Sequence, residues 1–102
     1  MTNPGHATHD DAMHSREATV VLPNKLGLHA RSAASLLKTS ARFRSSVVLY
    51  HKDGKANARS LTELLRLGAR QGDAVRIQVQ GPDADAALHA IQTLLENGFG
   101  ED

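Results

Sequence analysis

The segment "AVRIQVQ", residues 74–80, constrains the fold most, because its side chains alternate strictly between apolar and polar. It predicts a β-strand with Val75, Ile77 and Val79 on one face and Arg76, Gln78 and Gln80 on the other. One apolar and one polar face are typical of an antiparallel sheet that is covered on one side only. The helices of the chain therefore have to cover a single face of the sheet.

The other elements follow from periodicity and turn signals. Strands are predicted at 18–22, 45–51 and 55–59, and helices from 30 to about 43, from 60 to near 68 and from 82 to 98. Asp53-Gly54 predicts the turn between the second and third strands. The order β-α-β-β-α-β-α predicts an α+β fold in which a four-stranded, mainly antiparallel sheet carries three helices on one face.

Apolar stripes and capping residues give the helices a predicted orientation. The first helix is expected to bury Ala30, Ala33, Ala34, Leu37 and Ala41, and the last helix Ala87, Leu88, Ile91, Leu94 and Leu95. "SLTE" predicts a capping box in which Ser60 and Glu63 bond reciprocally. Pro82 and the aspartates Asp83 and Asp85 suit the start of the last helix.

Composition limits the classes of function. A chain of 102 residues with 40% apolar residues suits one small domain. The net charge of +1 gives no strong field for nucleic acid or an anionic membrane. The absence of cysteine excludes a disulfide scaffold and a thiolate site. No apolar run is long enough for a membrane span, and no signal peptide is evident, so we expect a cytoplasmic protein.

The first sixteen residues, "MTNPGHATHDDAMHSR", predict a disordered tail, and residues 17–102 the folded domain. His6, His9 and His14 could bind metal, but a solvated tail explains them more simply. The chain offers no compact carboxylate cluster, and we expect neither a metal nor a cofactor.

The segment "LGLHARSAA", residues 26–34, holds the candidate chemistry. His29 falls at the amino-terminal edge of the first helix, where the amides of Ala30, Arg31 and Ser32 have no partner within the helix. These amides and the Arg31 guanidinium suit a phosphate group. A neutral histidine beside such an anion site suits a phosphoryl acceptor, since the same groups would stabilise the charge after transfer. Spacing alone also allows a simpler interpretation, in which His29 is only an imperfect cap and Arg31 a solvated charge.

Two longer segments resemble a known family. "NKLGLHARSAASLL" closely resembles the active-site segment of HPr, the histidine phosphocarrier of the phosphoenolpyruvate-dependent sugar phosphotransferase system, whose pattern is G-[LM]-H-A-R-P-A. "ANARSLTELLRLGARQGD", residues 56–73, is similar to the region around the family's regulatory serine. The resemblance covers about residues 17 to 97 and implies an open-faced β-sandwich.

The resemblance also implies the roles of individual residues. His29 would take the phosphoryl group through Nδ1, Arg31 would be its phosphate partner, and Ser60 would be the serine that a dedicated kinase phosphorylates in some bacteria. Part of the partner surface would comprise Ala33, Ala34, Leu37, Leu61 and Leu65. We expect Leu61 to be partly exposed and Leu64 to be buried.

The implied function is a carrier rather than a turnover enzyme. Enzyme I would phosphorylate it and IIA-type proteins would accept the phosphoryl group, with a serine kinase and phosphatase as further partners. We expect a monomer with no nucleic-acid partner and no membrane insertion. The ending "ENGFGED" looks more like nitrogen-related carriers, whereas "RSLTELLRLGARQGD" looks more like sugar carriers, so the branch stays open.

The sequence departs from the family pattern at two positions. Ser32 stands where the family has proline. Serine keeps an N–H donor in the helical turn but lacks the rigid ring of proline. Glu63 stands where several relatives carry Lys or Gly, and an acid there could alter partner choice.

Three other functions fit some of the observations less well. A regulatory adaptor without phosphate would not need the histidine that this chain keeps. An RNA-binding sheet would need more aromatic side chains than Tyr50, Phe43 and Phe99. A hydrolase using His29 with Ser32 or Ser35 would need a nucleophile elbow and an orienting acid. His51 and His89 are not expected to be catalytic.

Overall fold

The four strands form one sheet in the computed structural model, which describes residues 14–101. The strands are β1 (His14–Val21), β2 (Ser46–His51), β3 (Gly54–Asn57) and β4 (Ala74–Gly81). Their spatial order is β1-β4-β2-β3, and every neighbouring pair is antiparallel. The predicted antiparallel sheet is confirmed.

Three α-helices connect or follow the strands: α1 (Ala30–Ser40), α2 (Leu61–Arg66) and α3 (Ala84–Glu96). A short 3-10 turn, Gly98–Gly100, comes after α3. The chain order β1-α1-β2-β3-α2-β4-α3 confirms the predicted β-α-β-β-α-β-α order. Among the described residues, no helix is both long and apolar enough to cross a bilayer.

The core lies between the helices and one face of the sheet. Strand β4 alternates as its sequence predicts, with Val75, Ile77 and Val79 almost fully buried. They pack in one cluster with Leu36 of α1 and Leu64 of α2, among others. The other face is polar: the Arg76 guanidinium lies 4.1 Å from the centre of the Tyr50 ring. That contact covers an aromatic face that an RNA-binding sheet would need for stacking.

Two element boundaries differ from the prediction. Strand β1 begins at His14, because it pairs with β4 along its whole length, from His14 opposite Gly81 to Val21 opposite Ala74. Residues 14–16 therefore belong to the sheet rather than to the expected tail, and residues 1–13 lie outside the described residues. Helix α1 ends at Ser40 rather than near Phe43. Past this end the Phe43 amide makes a tighter turn bond to the Ser40 carbonyl, and the Arg59 guanidinium donates to the carbonyls of Ser40, Phe43 and Ser45.

The buried face of α1 was predicted wrongly. Its buried residues are Ser32, Ala33, Leu36 and Ser40. Of the predicted stripe, only Ala33 is buried and Leu37 is half-buried, whereas Ala30, Ala34 and Ala41 are exposed. Leu36 lies in the core instead. Because an alanine side chain buries little apolar area, burial of Leu36 decides which face of the helix is turned inward.

The capping predictions hold in part. The Ser60 hydroxyl accepts a hydrogen bond from the Glu63 amide at 3.3 Å, as predicted. The Glu63 carboxylate, however, accepts from the Asn57 amide at 2.8 Å instead of returning to Ser60. Asp83 precedes α3 but makes no side-chain cap on it, because its carboxylate accepts from the amides of Arg44 and Ser45, both at 2.9 Å.

Candidate functional site

The loop before α1 is fixed against the segment that follows α2. Gly27 has a positive φ of 62°, and a Cβ atom there would lie 2.6 Å from the Ala69 carbonyl oxygen. Only glycine allows this approach, because both the conformation and the space exclude a side chain. The Leu28 amide donates to the same Ala69 carbonyl at 3.0 Å. The backbone that leads to His29 is thus fixed at Gly27 and at Leu28 by contacts with Ala69.

The supporting segment is itself fixed by a buried histidine. His51 places Nδ1 3.0 Å from the Leu67 carbonyl and Nε2 2.8 Å from the Asp73 carboxylate. Asp73 also accepts from the Arg70 amide at 2.9 Å. That hydrogen bond and the one from His51 lower the pKa of Asp73 below its ordinary value of 3.8. His51 is therefore a structural residue.

His29 precedes α1 as its N-cap, with an extended backbone at φ −133°. Its Nδ1 atom lies 3.4 Å from the Arg31 amide nitrogen, which makes a long hydrogen bond at the amino end of the helix. An amide N–H only donates, so this contact requires an unprotonated Nδ1. The lone pair of Nδ1 is directed to the positive end of the helix dipole.

The other ring nitrogen faces a carboxylate. Nε2 of His29 lies 2.8 Å from Oε2 and 3.0 Å from Oε1 of Glu101, the residue after the 3-10 turn. A carboxylate only accepts, so Nε2 carries the proton and donates it. The hydrogen bond from His29 lowers the pKa of Glu101 below the ordinary 4.5, while partial burial opposes the shift. Glu101 is therefore an ionised acceptor for Nε2–H, on the side of the ring opposite the Arg31 amide.

Ser32 ties the first turn of α1 to the loop. Its buried hydroxyl accepts from the His29 amide at 2.9 Å and lies 3.1 Å from the Gly27 carbonyl, to which it can donate. The serine hydroxyl thus makes bonds that a proline at this position could not make. Its contacts are with backbone groups, so Ser32 Oγ is not paired with the His29 ring as a hydrolase nucleophile would be.

These groups surround an open pocket of about 630 Å³ lined by Lys25, Leu26, His29, Ala30, Arg31 and Glu101. The Arg31 side chain is exposed at its rim, and Leu26 is 69% exposed. The pocket is therefore open to solvent on the side where His29 and Arg31 lie.

Comparison with known proteins decides the family. The "PTS HPr component phosphorylation site" family matches residues 16–97. The chain belongs to the HPr family. It is 40% identical over 86 residues to the phosphocarrier protein HPr of Xylella fastidiosa, which covers 84% of this chain and 97% of that protein. The crystal structure of HPr-C-His from Thermoanaerobacter tengcongensis is similar with a TM-score of 0.81 and 37% identity, covering 85% of this chain and 98% of that one.

HPr-family sequences also occur within larger relatives. A multiphosphoryl transfer protein of Salmonella typhimurium is 38% identical over 99 residues, which are 92% of this chain and 26% of that protein. The phosphoryl donor subunit of a phosphoenolpyruvate-dependent dihydroxyacetone kinase from Klebsiella michiganensis is 41% identical over 92 residues, 19% of its length. The chain is accordingly a phosphocarrier protein of the phosphotransferase system.

The HPr assignment lets the predicted site residues be sorted by position. His29, Ala30, Arg31 and Ser32 lie together at the amino end of α1, as their adjacency requires. Ala33 was predicted to lie on the partner surface, but its exposure is 0%, because it packs in the hydrophobic core cluster. The remaining members of that surface are accessible: Ala34 is exposed, Leu37 half-buried, and Leu61 and Leu65 are 41% and 44% exposed. Leu64 is buried, as predicted.

Sequence reasoning missed Glu101 and its anchor, Asn24. The buried Asn24 amide donates to Glu101 at 2.9 Å and to the Gly27 carbonyl at 2.8 Å. The only available signal was the glycine-rich segment "NGFGE", in which Gly98 has a φ of 61° and Phe99 a φ of 60°. Such backbone reversals turn the chain back after α3, but nothing in the sequence indicates their target.

Proposed function

We propose that His29 accepts a phosphoryl group from phosphorylated enzyme I and passes it to IIA-type proteins. The single observation behind this proposal is the pair of opposed contacts on the His29 ring. Nδ1 presents a lone pair at the amino end of α1, 3.4 Å from the Arg31 amide, while Nε2 donates to Glu101. A neutral ring with a directed lone pair is what attack on phosphorus requires.

The transfer itself needs only groups that are present at the pocket. His29 Nδ1 forms a bond to phosphorus while the donor's bond to phosphorus breaks, and the electron pair of that bond stays on the donor. Arg31 and the amides of Ala30, Arg31 and Ser32 then stabilise the phosphoryl oxygens by charge and hydrogen bonding. Transfer to an IIA-type acceptor reverses these changes at Nδ1.

Exposed apolar side chains supply a docking surface for these partners. Leu26 lines the pocket directly, and Leu61 and Leu65 lie on the exposed side of α2, which packs against α1. A donor and an acceptor that both need His29 have to use this surface in turn. Such an exchange requires interfaces that are small enough for each complex to dissociate readily.

The direct test is intact-mass measurement after incubation with phosphoenolpyruvate and enzyme I. We expect an acid-labile phosphoryl adduct on the wild type and on His89→Ala, a matched control because His89 is exposed on α3. We expect no adduct on His29→Ala. A folded wild type that gains no adduct would refute the proposal and favour the adaptor function. Transfer to a sugar-type and to a nitrogen-type IIA protein would then separate the two branches.

We also propose Ser60 as the residue that a serine kinase and phosphatase would modify. Ser60 is half-exposed at the start of α2, beside Leu61 of the docking surface. Added phosphate there would repel acidic partners. Ser60→Asp should accept phosphate from enzyme I more slowly than Ser60→Ala, and equal rates would contradict this role.

A further inference from the structure

We infer that Glu101 is a positioning residue for phosphoryl transfer, which holds Nε2–H of His29 so that Nδ1 keeps its lone pair at the amino end of α1. The inference rests on the proposed function of His29. No sequence motif marks this residue, which lies 72 positions after the histidine in the chain.

The geometry restricts both the proton position and the ring orientation. Nε2 lies within 3.0 Å of both carboxylate oxygens, so small movements of Glu101 preserve a hydrogen bond. A flip of the imidazole ring would move Nε2 away from Glu101 and Nδ1 away from the Arg31 amide. Both contacts would then be lost together, and the carboxylate would keep only its bond from Asn24. The observed orientation of the His29 ring is therefore favoured by two contacts, one of Nε2 with Glu101 and one of Nδ1 with the Arg31 amide.

Glu101 is held firmly enough to serve this role. The buried Asn24 side chain donates to Oε1 at 2.9 Å and simultaneously joins the loop at Gly27. The Glu101 side chain is only 18% exposed and the His29 side chain 28% exposed, so water competes weakly for their bond. The other charged groups at the pocket are Lys25 and Arg31, both cations that favour the ionised carboxylate.

The same contact suits every stage of the transfer. As Nδ1 bonds to phosphorus and the donor's bond breaks, the imidazole ring gains a positive charge. Nε2 keeps its proton throughout, and the adjacent carboxylate balances the new charge without any proton having to leave. When the phosphoryl group departs, the electron pair returns to Nδ1 and the neutral ring is restored. Glu101 thus acts through His29 and does not contact the phosphoryl group in this scheme.

The first test compares rates of phosphorylation by enzyme I under single-turnover conditions. Carboxylates that orient a metal-bound histidine affect metal affinity or activity by about 10-fold to 100-fold when removed, and the lower end of this range is the guide for a histidine that binds no metal. We expect a loss of about 10-fold in Glu101→Ala, and a smaller loss in Glu101→Gln, whose amide oxygen can still accept from Nε2–H. Glu96→Gln is the matched control, because Glu96 is an exposed carboxylate at the end of α3. It should react at the wild-type rate.

The second test is nitrogen NMR of the His29 ring in the unphosphorylated protein. We expect the proton on Nε2 with slow exchange in the wild type, and faster exchange with more proton on Nδ1 in Glu101→Ala. A thermal melt of each variant shows that it is folded. A wild-type transfer rate in Glu101→Ala, or a wild-type ring proton on Nδ1, would overturn the inference. If no variant and no wild type is phosphorylated, the proposed function fails, and the NMR spectra alone decide the positioning role.

Discussion

The hydroxyl of Ser32 gives the most informative prediction about the stability of the site. Replacing Ser32 by alanine removes the bond to the His29 amide at 2.9 Å and the contact with the Gly27 carbonyl at 3.1 Å. The Gly27 carbonyl keeps a partner, because it also accepts from Asn24 at 2.8 Å. The His29 amide loses its side-chain acceptor at the start of a helix. Loss of one such cap costs about 1–2 kcal/mol of the free energy of unfolding.

The assay is urea unfolding followed by circular dichroism, together with a thermal melt. A loss of about 1–2 kcal/mol should lower the melting temperature of a domain of this size by about 5–15 °C, with an unchanged urea m-value. Ser35→Ala is the matched control, since Ser35 lies on the same helix and is half-buried. It should change stability by no more than about 0.5 kcal/mol.

Ser32→Pro separates the hydroxyl from the rigidity of the family's usual residue. The proline also lacks the hydroxyl, but its ring restricts the unfolded chain, which stabilises a protein by about 0.4–1 kcal/mol where the conformation allows it. Its unfolding midpoint should therefore fall between those of Ser32→Ala and the wild type. If Ser32→Ala unfolds at the same urea concentration as Ser35→Ala, the hydroxyl does not hold the loop, and the reasoning is refuted.

Three further predictions concern the fold around the site. Leu36→Ala should lower the free energy of unfolding by about 2–5 kcal/mol, because Leu36 is 0% exposed, whereas Leu61→Ala should change it by less than about 0.5 kcal/mol in the same urea titration. Gly27→Ala should destabilise the protein and slow phosphorylation, since its Cβ would meet the Ala69 carbonyl; a normal melting temperature would contradict this. The amides of Arg44 and Ser45 and the Ser45 hydroxyl lower the pKa of Asp83, so its contribution to stability is present above its ordinary pKa of 3.8 and disappears as pH falls through the lower folded value. Urea midpoints measured down through this range should fall less steeply in Asp83→Asn than in the wild type.

The order of the elements was predictable because it depends on local patterns. Strand β4 alternates cleanly, and one buried face and one polar face leave little choice of architecture. The placement of His29 beside the first-turn amides of α1 was predictable for the same reason, since these residues are consecutive in the chain and a helix start defines their geometry. Predictions from such local patterns do not require knowledge of which residues come together in the folded protein.

Polar side chains with distant partners were less predictable. Asp83 is placed like a helix cap, yet its carboxylate bonds to the backbone at residues 44 and 45, which the fold brings beside it. Glu63 likewise completes a capping motif in sequence but bonds to Asn57. In both cases a backbone N–H donor outside the helix takes the carboxylate in place of the donor at the helix start, and the sequence indicates only the donor at the helix start.

The orientation of α1 shows the same limit for apolar residues. Alanines at 30, 34 and 41 fit a stripe, but each contributes little area, and the helix instead places Leu36 in the core. Of the alanines left outside, Ala30 lines the pocket beside His29, where its small side chain leaves space at the helix start. A stripe of small residues therefore predicts contact without deciding whether the contact is with the core or with another protein.

Glu101 is a further residue whose partner is distant in the sequence, and it contributes to the site although it lies outside the histidine motif. The histidine motif supplies a nucleophile and an anion site within four residues, but the orientation of the ring depends on Nε2, which the motif leaves without a partner. The partner of Nε2 is Glu101, which follows a turn with positive φ at Gly98 and Phe99. Asn24 joins this segment to the loop before α1. On the inferred role of Glu101, a substitution after α3 would alter the His29 ring in this chain while the histidine motif stays unchanged, and Glu101→Ala tests this directly.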